Sequence, residues 1–253
     1  MNHSQLVLSN TATFFGGNIE ALFRKARKYG FQYLEVIPYR WNTPQQILNL
    51  ERKYDLKVVG IHLPPNSWDD SLSKILSTKH GLWEKFFTSV WHFYLGKARI
   101  SPALKIASAL QNLSYVVVHA NVMRDMGQEF ESLGKRLPLL VENLPYESSY
   151  PELFWNPAKL PCPSLFDPGH FLQTLQTKTE LHILEVYEQI KPRVIHISYN
   201  THFHHLLPDL REQREFIEML KIHRPEFVTI ETNPLVNPGK GKRLLEKLIA
   251  KAG

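Results

Sequence analysis

What most constrains the fold of this chain is a unit repeated along it. A short run of β-branched, leucine or aromatic residues is followed by a loop and then by a stretch with apolar residues at helical spacing. The runs are residues 5–8, 32–37, 57–61, 115–118, 138–141, 163–166, 193–197 and 227–230. Between them lie helical candidates at 18–29, 43–54, 102–111, 181–191, 209–222 and 240–252, several entered from an Asn, Thr, Ser or Asp able to cap the first turn. Eight such units in 253 residues have the size and rhythm of an α/β (β/α)8 TIM barrel. A doubly wound sheet is the rival architecture. Against it, the turn after the first run reads Thr13-Phe14-Phe15-Gly16-Gly17-Asn18 and lacks the GxGxxG pattern of a dinucleotide site.

Composition narrows the functional classes. No Gly/Ser linker or low-complexity tract divides the chain, so residues 1–253 are read as a single barrel domain with a helical, aromatic-rich insertion at about 64–114. Its aromatic patch, residues 82–95, suits a core helix with a flap, or else a lid or the contact surface of a homo-oligomer. No run of about 18 uncharged apolar residues occurs and the N-terminus has no signal pattern, which points to a cytoplasmic protein without membrane contact. A single cysteine, Cys162, excludes an internal disulfide and a CxxC metal knuckle. Any metal chemistry therefore falls to His, Asp and Glu. The net charge of +6 is a mild bias toward phosphate-bearing partners.

In a barrel of this kind the reactive face is built where strands end. The third and fourth runs end in His62 and His119, the fifth in Glu142, the sixth in Asp167 with His170 three residues on. The seventh carries His196, with His202, His204 and His205 in the loop behind it, and the eighth ends in Glu231. Taken one at a time, such histidines are commonly structural. Taken together they would crowd carboxylates and imidazoles at one barrel mouth, an arrangement that a divalent cation relieves. A His/Asp/Glu set without thiolate suits Mn²⁺ or Zn²⁺, with Fe²⁺ or Co²⁺ as alternatives.

The stretches Ile61-His62-Leu63-Pro64, Val118-His119-Ala120, Val141-Glu142-Asn143, Phe166-Asp167-Pro168-Gly169-His170, Ile195-His196-Ile197-Ser198 and Ile230-Glu231-Thr232 resemble the xylose isomerase-like TIM-barrel superfamily. That superfamily holds sugar isomerases and epimerases together with endonuclease IV-type apurinic endonucleases (AP endonuclease family 2). In the epimerase branch the resemblance implies one metal, commonly manganese, held at Glu142, Asp167, His196 and Glu231. Glu142 and Glu231 are then acid and base of a proton transfer through an enediolate, and His170 orients a substrate hydroxyl. In the endonuclease branch it implies a multi-metal site for DNA phosphodiesters that also uses His62, His119 and His170, plus an Asp-x-His pair after the seventh strand. Here His205 has the matching His-x-x-Pro context, but Phe203 stands at the expected aspartate. A barrel that binds a small ligand without catalysis is the third option.

Other residues divide these branches. Glu35 on the second run is typical of the sugar branch, where it shapes the substrate pocket; it could equally be a buried ion-pair or surface residue. Arg40, in Pro38-Tyr39-Arg40-Trp41-Asn42, is loosely similar to the loop with which the endonucleases enter DNA, and is otherwise a plain surface arginine. Pro238-Gly239-Lys240-Gly241-Lys242 suits a helix-start loop or a backbone phosphate site. The favoured reading is a metal-dependent isomerase or epimerase of a sugar or polyol, with apurinic-site cleavage as the alternative.

Overall fold

The computed structural model describes residues 4–13, 18–39, 41–63, 100–111, 113–146, 148–160, 163–198, 207, 209–232 and 234–253. Arg40, Cys162, Phe203, His205 and residues 64–99 of the expected insertion lie outside them. Eight parallel strands form one sheet: β1 (Gln5–Ser9), β2 (Tyr33–Val36), β3 (Lys57–His62), β4 (Tyr115–His119), β5 (Leu139–Glu142), β6 (Ser164–Leu165), β7 (Val194–Ile197) and β8 (Phe227–Ile230). Their spatial order is β6-β5-β4-β3-β2-β1-β8-β7. A parallel bridge between Phe166 and Ile195 joins β6 to β7 and closes the ring. The fold is therefore the (β/α)8 barrel that the repeated unit predicts.

Ten α-helices occur among the described residues: α1 (Ile19–Tyr29), α2 (Pro44–Tyr54), α3 (Ile100–Ala109), α4 (Ala120–Met126), α5 (Gln128–Gly134), α6 (Glu152–Trp155), α7 (Pro168–Leu175), α8 (Ile183–Ile190), α9 (Leu210–Ile222) and α10 (Pro238–Lys251). The helices α4 to α6 are four to seven residues long, too short for a helical period to stand out in the sequence. The longer ones begin where capping residues stand. Asn18, Thr43, Asp209 and Asn237 each accept a hydrogen bond from a backbone N–H of the following turn. For 238–242 this supports the helix-start reading, with Pro238 in the first turn.

Side-chain alternation along the strands separates two apolar clusters. One, with Leu8, Leu34, Ile61, Val116, Val118, Val141, Phe166, Ile195, Ile197, Val228 and Ile230, packs the strands against the helices. The other contains Val7, Val59, Tyr115, Val117, Leu140, Leu165, Val194 and Phe227, and fills the barrel interior. Two residues beyond Leu140, Leu165, Val194 and Phe227, on the same inward phase, stand Glu142, Asp167, His196 and Thr229. The interior is thus apolar below and ionisable above, because a period of two carries each strand's inward face from the core to the mouth.

Tyr115 plugs the boundary between these layers. Its hydroxyl is 2.9 Å from Thr229 Oγ1, and its register partner on β3 is Gly60. A Cβ at Gly60 would come within 2.5 Å of the Tyr115 ring. The expected outcome for Gly60→Ala is overpacking that costs about 1–3 kcal/mol. For a chain of this size that lowers Tm by roughly 2–4 °C per kcal/mol in a thermal melt.

Candidate metal centre

Glu142, at the end of β5, is the hub. His196 Nδ1 donates to its Oε1 at 2.8 Å, and His62 Nε2 donates to its Oε2 at 3.1 Å. His119 Nε2 lies 3.0 Å from the same Oε2. The strand register explains the last contact, since His119 and Glu142 are paired across β4 and β5. Glu231, past the end of β8, brings Oε1 to 3.7 Å from His196 Nδ1. His196 therefore faces two glutamates with one nitrogen. Its other nitrogen, Nε2, is 2.9 Å from Glu35 Oε2 on β2. Glu35, Glu142, Asp167, His62, His196 and Glu231 are all buried.

Asp167 is held by two separate devices. It caps α7, its Oδ1 accepting from the backbone N–H of His170 at 2.9 Å. Its own backbone is clamped by Asn143, which accepts from Asp167 N at 2.9 Å and donates to Asp167 O at 3.0 Å. Its Oδ2 is left facing Ser198 Oγ at 3.5 Å and His170 Nδ1 at 3.8 Å. His170 Nδ1 is 2.8 Å from the carbonyl of Asn143, and His62 Nδ1 is 2.9 Å from the carbonyl of Leu63. A carbonyl only accepts, so both rings carry hydrogen at Nδ1 and present Nε2 to the centre.

The electrostatics follow from this packing. Burial alone would raise the Glu142 carboxyl, but the charge of His196 and hydrogen bonds from His119, His196 and His62 hold it well below the usual range. Burial likewise opposes the charge on Glu35, and again His196 prevails and keeps it low. Glu231 has weaker compensation: burial, with Glu142 and Glu35 nearby, pushes it up to about 7 despite the charge of His196. Burial would lower the imidazoles. In His196 the charges of Glu35, Glu142 and Glu231 overturn it, and in His62 the bond to Glu142 does so, raising that ring to about 9. Burial is decisive only for His119, which is lowered.

Of the residues singled out from sequence, the strand-end set His62, His119, Glu142, Asp167, His170, His196 and Glu231 converges on one mouth, joined by Glu35. Arg40 and His205 lie outside the described residues. Tyr39 and Trp41, the sequence neighbours of Arg40, stack with ring centroids 5.0 Å apart, and Trp41 is exposed. Asn143, Ser198, Tyr115 and Thr229 were not anticipated as site residues. The signal for Ser198 was its position two residues past His196, on the same inward phase.

Three donor groups have ligand atoms within 4.8 Å of one another: His62, His196 and Glu231; His62, His119 and Glu142; and Glu142, Asp167 and His196. Buried nitrogen and carboxylate donors at this density suit a divalent ion such as zinc or manganese. No helix of the described residues is long and apolar enough to cross a membrane.

No family profile and no curated protein sequence matches the chain. Solved structures do. The AP endonuclease, family 2, of Brucella melitensis aligns over 96% of this chain and 98% of its own at 15% identity, TM-score 0.60. The IolI protein with a bound zinc atom aligns over 98% and 99% at 13% identity, TM-score 0.56. A xylose isomerase domain containing protein of Salmonella typhimurium LT2 aligns over 100% and 99% at 13% identity, TM-score 0.55. These likenesses, at 15% identity or below, show the fold, a (β/α)8 barrel.

A pH dependence follows for the metal-free protein. His62 binds its proton more tightly folded, at about 9, than at its ordinary 6.5, and His196 and His170 shift in the same direction. The stability they contribute is full below pH 6.5 and is lost as pH rises through about 9. Calorimetric melts of chelator-treated protein are expected to show Tm falling across that window.

Proposed function

We propose, from a xylose isomerase-like barrel with this ionisable mouth, that the chain is a divalent-metal-dependent isomerase or epimerase of small sugars or polyols. The observation that carries the reading is the pairing of Glu142 and Glu231. They come from β5 and β8, approach the same His196 Nδ1 at 2.8 and 3.7 Å, and have opposite proton affinities. In the metal-free protein Glu142 is held low and Glu231 is pushed up to about 7, so the two carboxylates differ in their hold on a proton, as an acid and a base do.

Glu142, Asp167, His196 and Glu231 would hold the cation, which when bound supplies Lewis-acid polarisation of the substrate's oxygens. One glutamate takes the proton from the carbon beside a carbonyl, the electron pair moves to give an enediolate, and the other glutamate returns a proton. Return to the neighbouring carbon, with the hydroxyl proton of the deprotonated carbon passing to the former carbonyl oxygen, isomerises the sugar, and return to the opposite face of the same carbon epimerises it. His170, anchored at Nδ1 by the Asn143 carbonyl, has Nε2 free to orient a hydroxyl. Asn143 keeps the β5 and β6 ends in register, so that Asp167 and Glu142 face one ligand together.

The test is solvent exchange. Metal-loaded protein is incubated in D2O with a panel of ketoses and inositols, and deuterium at the carbon next to the carbonyl is read by NMR. Glu142→Gln and Glu231→Gln are each expected to lower exchange by about 10² to 10⁴. Full exchange in both variants would remove the catalytic assignment.

A second reading, phosphodiester cleavage at abasic DNA, is favoured by one observation. His62, His119 and Glu142 form a donor group that a one-metal enzyme does not need, and it shares Glu142 with the group of Glu142, Asp167 and His196. Elemental analysis of protein purified without chelator separates the two. One metal per chain, retained in His62→Ala and His119→Ala, is expected for the isomerase. Two or three metals, with one lost in those variants and cleavage of an abasic oligonucleotide, would favour the nuclease.

A further inference from the structure

The ring of His196 is gripped from both edges, and only one edge belongs to the donor groups. Nδ1 faces Glu142 and Glu231. Nε2 points away across the ring to Glu35, which is fully buried and contributes to none of the donor groups found among the described residues. An ionised carboxylate has no hydrogen to give, so the contact at 2.9 Å requires the hydrogen on Nε2. Without a cation the ring also donates from Nδ1 to Glu142; when it gives up that proton, as a ligating histidine must, Nε2 keeps its hydrogen on Glu35 and the lone pair stands at Nδ1, where the carboxylates of Glu142 and Glu231 converge.

The aim of Glu35 is built into β2 by plain alternation: Tyr33, two residues earlier, packs on the interior apolar cluster, and the β1–β2 register runs unbroken through Glu35. The β2–β3 register slips between Leu34 and Glu35, so that Leu34 is opposite Val58 and Glu35 opposite Gly60. The extra residue lies on β3, where it changes the phase of the residues leading to His62 and leaves β2 undisturbed. Tyr115, under whose ring Gly60 leaves room, and Thr229 occupy the layer at this level.

We infer that Glu35 is a positioning residue that selects the Nε2–H tautomer of His196 and fixes its ring, so that Nδ1 is delivered to a divalent cation. It does not touch substrate in this arrangement; it acts through His196. The inference rests on the metal reading of the centre and is independent of whether a sugar or a phosphodiester is the substrate. Carboxylates that accept from the far nitrogen of a ligating histidine raise its basicity and hold its orientation, and losing one commonly costs 10- to 100-fold in metal affinity.

The experiment uses zinc as the probe on the full chain. Zinc affinity is measured by competition with a chromophoric chelator for the native protein, Glu35→Met and Glu35→Gln, with folding checked by thermal melt. The ring state of His196 is read from long-range ¹H–¹⁵N correlation spectra of histidine-labelled, zinc-loaded protein, assigned with His196→Asn. The native chain should show hydrogen at Nε2 and metal at Nδ1. Glu35→Met, which has no acceptor, should lose about 10- to 100-fold in zinc affinity and lose that ring signature. Glu35→Gln, whose amide oxygen can still accept, should recover the signature, with an affinity between the other two. A native ring ligated through Nε2, or a folded Glu35→Met with unchanged affinity and signature, overturns the inference alone. If Glu35→Met does not fold, a Glu35→Gln protein with undiminished zinc affinity overturns it. A native chain that takes up no zinc overturns both this inference and the metal reading.

Discussion

The structure of the barrel mouth depends on one constraint: four carboxylates, those of Glu35, Glu142, Asp167 and Glu231, are removed from water within a few strand spacings of one another. Unpartnered, they would repel and could not remain ionised. The protein answers with imidazoles instead of lysines or arginines. His196 bridges Glu35 and Glu142, His62 and His119 converge on the second oxygen of Glu142, and His170 stands beside Asp167. A histidine can hold a proton when the cavity lacks a cation and release it when one binds. The same residues thus satisfy the buried charge in either state, which a lysine could not do.

Rigid secondary structure converts that balance into geometry. Asp167 is at once the last inward residue of its strand segment, the N-cap of α7 and the partner of Asn143. Each role restricts a different torsion, and only Oδ2 is left over for the centre. His62 and His170 are similarly tethered by backbone carbonyls at Nδ1. Sites held this way need little reorganisation to accept a ligand. Glu231, with no such tether in the described contacts and a carboxyl that burial pushes up to about 7, is well suited to exchanging a proton.

Much of this was legible in the sequence. Run lengths and β-branched content located all eight strands, because each buried strand must be apolar on the face it turns to the helices. Caps such as Thr43 and Asp209 located the longer helices. The strand ends named the ionisable set, since a period of two makes the residue ending an inward apolar face point into the mouth. The short helices α4 to α6 escaped this reasoning because a turn or two of helix has no measurable periodicity.

What the sequence by itself determined was the architecture and the membership of the centre: local pattern depends on neighbours along the chain, and eight repeats admit few closures. Only the tertiary structure decided how those members are wired. That Glu142 takes three imidazoles while Glu231 is left partly protonated depends on distances between strands far apart in sequence. That His62 turns into the mouth although Val59, an odd three residues earlier, also faces the interior depends on a one-residue slip in the β2–β3 register. A slip of that kind leaves no trace in the hydrophobic pattern of either strand, because it is the relation between two strands that changes.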